Sequence, residues 1–314
     1  MESRPMQARR REKSRAFWWT EWISEDLLEA YRVERVIHES ATKYQRLAVL
    51  ETAPFGLSLL LDGKMQSSLL DEHIYHETLV HPAMALHGDP RRVAVIGGGE
   101  GSALREVARW KTVEEAYMVD IDQEVVELSR KYLPQLSGSV YEDPRVRLVF
   151  EDGRKWLKSQ NQGEFDVVIV DLTDPLEGGP SYLLYTEEFY KIVRSRLSEK
   201  GVFATQATSP VHNTLSFQSI KLTVSQVFAR VSELVCFMIS FSAPWGFVYG
   251  SARLGVGDLS AEAVEQVMRM AGVDGLRFYS GEVHRALLEL TKHYTRLRQA
   301  PARIIRDSSP LFIK

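Results

Sequence analysis

Apolar residues along the chain follow two different rhythms on either side of Asp89-Pro90. Before it, from 31 to 66, they fall in short β-forming segments. Tyr31 to Glu39 and Tyr44 to Thr52 are rich in β-formers, Pro54-Phe55-Gly56 turns the chain, and Leu57 to Leu61 runs into Asp62-Gly63, a strong hairpin signal. A small antiparallel β domain over 17–88 is expected. It ends in a linking helix from Ser68 to about His87, where Tyr75, His76, Leu79 and Met84 recur at three to five residues.

After Asp89-Pro90 apolar strands alternate with helical segments, an order that demands right-handed crossovers and a doubly wound, mostly parallel sheet over 89–314. Val93 to Ile96 is a predicted strand, Gly97 to Gly101 a glycine turn, and Ser102 the predicted N-cap of a helix from Ala103 to Trp110. Strands over Ala116 to Val119, Val146 to Phe150 and Phe165 to Val170 follow, then one over Gly201 to Ala207. Phe165 to Val170, apolar except for Asp166, is a run of the kind that forms a fully buried strand. Helices are expected to Tyr132, over Thr186 to Leu197 and Thr214 to Phe228, and near 259–271 and 281–294. Val231 to Ser240 and Gly246 to Gly250 read as a closing strand pair.

The first four predicted strands of this half end on acids or on the glycine turn: Gly97-Gly98-Gly99-Glu100-Gly101, Asp120-Ile121-Asp122, Glu151-Asp152-Gly153, and Asp171-Leu172-Thr173-Asp174-Pro175. Ligands of open α/β sheets bind at these carboxyl ends. Taken singly, each acid is as well explained as the cap of a turn. Taken together they describe a nucleoside site, in which Gly97 and Gly99 admit close backbone approach, Asp120 or Asp122 is placed for ribose hydroxyls, and Asp152 for an exocyclic amine. Glu100 inside the glycine turn would repel a pyrophosphate and would penalise a donor carboxylate; it suits a bare ammonium. With Asp171 and Asp174 added, and no Lys or Arg in the same loops, the residues describe a pocket for cations.

Composition narrows the picture little further. Of 314 residues, 44% are hydrophobic and 26% charged, and a net charge of −3 gives no bulk attraction to nucleic acid or to an anionic membrane. Residues 1–16 form a basic stretch with no apolar face, expected to be a flexible tail. No run is long enough for a membrane span, and Cys236 alone can form neither a disulfide nor a Cys-based metal site, which fits a reducing cytoplasm. His73 and His76 lack a second carboxylate–His pair, so no metal is expected.

These motifs resemble the polyamine aminopropyltransferases, the spermidine synthase family. The likeness runs from Trp19 to Leu290 through Lys43-Tyr44-Gln45, Leu61-Asp62-Gly63 with Gln66, Asp71-Glu72 followed by Ile74-Tyr75-His76-Glu77, the four strand ends, Leu184-Tyr185-Thr186, Gln206 and Trp245-Gly246-Phe247. The resemblance implies a Rossmann-like, class I methyltransferase-like α/β domain preceded by the small β domain. It implies decarboxylated S-adenosylmethionine as aminopropyl donor, with no permanently bound cofactor, and a homodimer or homotetramer formed through the N-terminal domain. By carry-over, Gln45, Asp120, Asp152 and Gly153 hold the nucleoside, and Glu100 the donor ammonium. Gln66, Tyr75, His76, Asp174, Tyr185 and Trp245 line the amine site, and Asp171 is the general base. Leu172, the Leu176-Glu177-Gly178-Gly179-Pro180 loop, Ser67 to Leu70, and Phe241 to Trp245 depart from putrescine-using members. Asp171 to Pro175 with Glu177-Gly178-Gly179-Pro180 looks more like thermospermine synthases and agmatine- or triamine-using enzymes of thermophiles, which implies spermidine or agmatine as the expected acceptor, with putrescine still open. The alternative is a methyltransferase of the same fold using intact S-adenosylmethionine.

Overall fold

The computed structural model describes residues 17–24 and 26–313; the basic stretch 1–16 lies outside the described residues. The described residues begin with a strand the pattern did not announce, β1 (Phe17–Ser24), which pairs antiparallel with β2 (Leu27–Ala41). Then come β3 (Arg46–Thr52), β4 (Gly56–Leu61) and β5 (Lys64–Ser68), giving a five-stranded meander in sequence order. The two tight connections form where expected, and Asp62 and Gly63 both take positive φ (48° and 81°). α1 (Glu72–His87) starts four residues later than predicted. Ser67 and Ser68 are still in β5, and Leu69 N donates to Leu57 O (3.0 Å), so the backbone stays committed to the sheet. Expected as a link, α1 packs against the second sheet.

That second sheet and its helices run β6 (Arg92–Gly97), α2 (Ser102–Ala108), β7 (Glu115–Asp120), α3 (Gln123–Tyr132), α4 (Pro134–Ser137), β8 (Val146–Phe150), α5 (Gly153–Ser159), β9 (Phe165–Asp171), α6 (Glu187–Arg196), β10 (Leu197–Gln206), α7 (Thr214–Ser225), β11 (Arg230–Met238), β12 (Ala243–Ser251), α8 (Ala261–Met270) and α9 (Gly281–Leu297). Strand order is β11-β12-β10-β9-β6-β7-β8, parallel from β10 to β8 and closed by the antiparallel pair β12 and β11. β6 and β9 are buried along nearly their whole length, which is why Val167 to Val170 is an uninterrupted apolar run; Asp166 before it is half-buried and accepts from Arg91 N and Arg92 N (2.8 and 3.1 Å). The expected cap at Ser102 is corrected. Gly101 (φ 85°) is the N-cap of α2, and the Ser102 hydroxyl donates to Leu136 O (3.2 Å), because only glycine takes that left-handed turn without strain.

The order reverses between β6 and β9: β7 and β8 continue on one side, β10 on the other. This is the topological switch point, where the two sets of strand-end loops diverge and leave a crevice. Gly97 and Asp171 face each other across it in register.

Candidate active site

At the switch point the glycine turn is fastened to the strand end that carries Asp171. Gly98 N donates to Asp171 O (2.8 Å), and at Gly97 (φ 81°) an added Cβ would stand 2.2 Å from that same carbonyl. No other residue fits there, and the fit brings Glu100 and the Asp171 carboxylate to one corner of a single large cavity.

Asp171 is nearly buried. Its Oδ1 accepts from Tyr75 Oη (2.9 Å), whereas its Oδ2 is buried with no hydrogen-bond partner. A buried carboxylate oxygen without a donor costs on the order of 1–3 kcal/mol or more, so its retention marks a seat for a donor group. Burial, and next the charge of Glu100, push the Asp171 carboxyl up to about 6, against the opposing pull of His76 and Tyr75. His76 is fully buried within α1. Its Nδ1 lies 2.7 Å from Glu72 O and 3.2 Å from Glu72 Oε2; its Nε2 lies 3.2 Å from Glu100 Oε1 and 3.8 Å from Asp171 Oδ2. Burial opposes its charge, but Glu100 and Glu72 hold the imidazolium, which is raised to about 10. Burial also works against Glu100, yet His76 and the Ser67 hydroxyl (3.2 Å) keep it ionised, below the ordinary carboxylate range. His76, Glu100 and Asp171 each present a donor atom within 4.8 Å of the others. A protonated His76 is itself the cation between the two acids.

Asp174 closes the other side. Gln206 Nε2 donates to its Oδ1 (3.2 Å), and burial raises its carboxyl to about 6. Tyr185, expected at the amine, instead stands behind the wall: its Oη donates to Thr173 O (3.1 Å) and accepts from Gln206 Nε2 (2.6 Å), so it positions Asp174 from behind. His76 is likewise behind the cavity surface, acting on it through Glu100. Gln66, Tyr75 and Trp245 line the cavity, Trp245 edge-on to Phe241 at 4.8 Å between rings.

At the nucleoside end, Gln45, Gly97, Gly99, Asp120, Asp152 and Gly153 line the cavity. Asp120 is pushed up to about 7, by burial first, although it accepts from Asp122 N (2.8 Å). Asp122 does not reach the cavity. Its carboxylate accepts from Val125 N (3.4 Å) to cap α3, and from Thr42 Oγ1 (2.6 Å) and Gln45 Nε2 (3.1 Å), so it positions Gln45. Asp152 caps α5 through Lys155 N (2.7 Å) and still faces the cavity.

Two charged wall residues escaped the sequence reading. Glu21 on β1 is buried with its Oε2 accepting from Met65 N (2.9 Å), and burial raises it to about 7. No sequence signal marked it: it is the buried position of a strand on which Trp18 and Trp22 are more than half exposed. Lys64 also lines the cavity, its ammonium donating to Trp22 O, and is the one cation on that wall among the described residues.

An α/β sheet with an acid-lined cavity at its switch point, preceded by a five-stranded meander, defines an enzyme class built for cationic substrates. Comparison with known proteins narrows it. Residues 72–278 match the spermine/spermidine synthase domain and residues 17–68 the spermidine synthase tetramerisation domain. The chain is 41% identical to the polyamine aminopropyltransferase of Saccharolobus solfataricus over 298 residues, covering 94% of this chain and 98% of that one. It is 38% identical to the Sulfurisphaera tokodaii polyamine aminopropyltransferase over 296 residues, with the same coverage. Among solved structures, spermidine synthase in complex with the transition-state analogue AdoDATO superposes with a TM-score of 0.82 (31% identity, 94% of this chain and 99% of that one). The Thermotoga maritima spermidine synthase superposes with 0.80 (31%, 94% and 98%). The chain belongs to the spermine/spermidine synthase family. It is a transferase of polyamine biosynthesis that moves an aminopropyl group, and it carries the family's N-terminal oligomerisation domain. No described helix is long and apolar enough to cross a membrane.

Proposed function

We propose that the cavity binds decarboxylated S-adenosylmethionine beside a polyamine acceptor, with Asp171 as the general base. The observation that carries the reading is the buried, unpartnered Oδ2 of Asp171, on a carboxyl held near 6 and therefore ionised at neutral pH. A primary amine, with a pKa near 10, is protonated in water and attacks only once it has lost a proton. In the step, an acceptor nitrogen surrenders its proton to Asp171 and its lone pair attacks the aminopropyl carbon next to the sulfonium. The C–S bond breaks, and its electron pair stays on sulfur as neutral 5′-methylthioadenosine. The loss of positive charge at sulfur drives the transfer, while Asp171 gains the proton.

Each remaining group has a task in this reading. Glu100 receives the donor's terminal ammonium, and the His76 imidazolium keeps Glu100 anionic without occupying that face. Gln45, Asp120, Asp152 and Gly153 hold the nucleoside. Asp174 and Tyr75 orient the attacking amine. Glu21, distant in sequence and buried near Lys64, receives the far end of the acceptor. A second acid in the wall near Asp174, together with Leu172, supports a longer acceptor, spermidine or agmatine, over putrescine. Tetramer assembly through β1–β5 is the matching expectation for quaternary structure, since the sheet leaves Phe17, Trp18 and Trp22 about half exposed. The test is incubation with decarboxylated S-adenosylmethionine and a panel of putrescine, agmatine and spermidine, read by product mass. Higher kcat/KM for spermidine or agmatine is expected; equal or better kcat/KM with putrescine overturns the acceptor assignment, and absence of aminopropylated product overturns the donor assignment.

A further inference from the structure

The segment after α9, residues 298–313, forms neither helix nor strand, yet it is tied to the body of the enzyme at every few residues. Ile305 is fully buried: its N donates to Thr223 Oγ1 (2.9 Å) on α7, and its O accepts from Glu187 N (2.8 Å) at the start of α6. Asp307 then binds on two sides. Its carboxylate pairs with Arg154 (2.6 Å), one residue beyond Gly153, and accepts from Thr186 Oγ1 (2.7 Å), while its N donates to Glu188 Oε2 (3.1 Å). Arg154 also donates to Leu183 O (3.4 Å), so Asp307 clamps the Asp152-Gly153 corner to the Tyr182–Tyr185 turn, whose Leu184 lines the cavity. Beyond a turn held by Arg303, Leu311 is buried again and the Phe312 ring packs on Tyr182 at 5.4 Å.

The segment ends on the loop after Asp171. Ile313 N donates to Pro175 O (2.9 Å) and pairs in parallel with Leu176. Among the described residues, this is the one hydrogen bond that ties Pro175–Pro180 to anything outside the loop's own residues 174–181. Leu176, Pro180 and Ile313 all face the cavity. We infer that residues 298–313 are a strap belonging to the active site: they hold the 172–181 loop closed over the nucleoside end, and Ile313 supplies part of the apolar wall against the donor. A loop already fixed need not be ordered when the donor enters, and that lowers the entropic cost of binding. The strap acts on binding of the nucleoside, not on proton transfer, because its anchors surround Asp152, Gly153 and Leu184 and none touches Asp171.

The inference rests on the cavity being the donor site, and titration of the full chain with 5′-methylthioadenosine separates the two. Failure of the wild-type protein to bind it would overturn the site; wild-type binding leaves the strap to be judged on variants. Ile313→Ala is expected to raise the Kd for 5′-methylthioadenosine about tenfold with kcat at saturating donor within about threefold, and Ile313→Leu to restore binding. Asp307→Ala is expected to act in the same direction and to speed amide exchange across residues 176–179. Unchanged affinity in Ile313→Ala, or a loss confined to kcat, would overturn the strap's role.

Discussion

Replacing Glu100 with Gln removes one negative charge from the glycine turn while keeping its shape, and the structure allows the consequence to be worked through. A donor ammonium about 4 Å from this carboxylate gains roughly 4 kcal/mol at an effective dielectric of about 20. Desolvation offsets part of that, so losing the charge should cost the decarboxylated donor about 2–3 kcal/mol, or roughly 30- to 150-fold in Kd. Intact S-adenosylmethionine would carry its carboxylate about 5 Å from Glu100, a repulsion of roughly 3 kcal/mol that the variant removes. Preference for the decarboxylated donor should therefore shrink by about 10²-fold, measured by calorimetric titration of both donors. The variant also shifts the proton balance of its neighbours. Glu100 raises Asp171, so its loss should move the acid limb of kcat/KM to lower pH. It helps hold the His76 imidazolium, which would keep Glu72 and Asp171 as partners. If Glu100→Gln binds the decarboxylated donor within threefold of wild type and discriminates as before, Glu100 does not receive the ammonium.

Glu21→Gln should raise the acceptor KM about tenfold or more and leave donor binding unchanged in steady-state assays; an unchanged acceptor KM would remove Glu21 from the amine channel. Since Asp171 must be ionised to act and is raised to about 6, acceptor kcat/KM should fall about tenfold per pH unit below that value. The same elevated groups set a stability trend. Asp171 and Asp174 near 6 and Glu21 and Asp120 near 7 favour their protonated forms in the fold, so their contribution is full below about pH 4 and lost as pH rises through 6 to 7. His76, raised to about 10, adds stability below about pH 6.5 that is lost toward 10; the substrate-free thermal midpoint should therefore fall between pH 5 and 8, and a rise would contradict these assignments. Gly97→Ala places Cβ 2.2 Å from Asp171 O and should cost about 3–5 kcal/mol, lowering the midpoint by about 10 °C in a thermal scan.

The parallel half of the fold was legible because its central strands β6 and β9 are buried on both faces and its acids fall where the apolar runs stop, so the same residues mark a strand's end and the site. The meander was harder. β1 keeps large apolar side chains outside and Glu21 inside, the inverse of the usual pattern, so it reads as neither strand nor site. Spacing also cannot separate residues that touch the cavity from those that support it. Asp122 and Asp120 look alike in sequence, yet one caps α3 and positions Gln45 while the other faces the ligand space. Tyr185 and His76 act through Gln206 and Glu100, contacts between residues 21 and 24 positions apart. The strap was invisible for a different reason: it is held by backbone hydrogen bonds and by pairs such as Arg154–Asp307, 153 residues apart, which leave no periodicity to read.

The central claim is that the unpartnered oxygen of Asp171 takes the proton from the attacking amine, and Asp171→Asn tests it most directly. Asn keeps the volume and an oxygen for Tyr75 but cannot accept that proton. In single-turnover experiments with saturating decarboxylated S-adenosylmethionine and acceptor, aminopropyl transfer should slow by about 10²- to 10⁴-fold, with the donor Kd within about threefold of wild type. Transfer at a rate within about threefold of wild type would contradict the account.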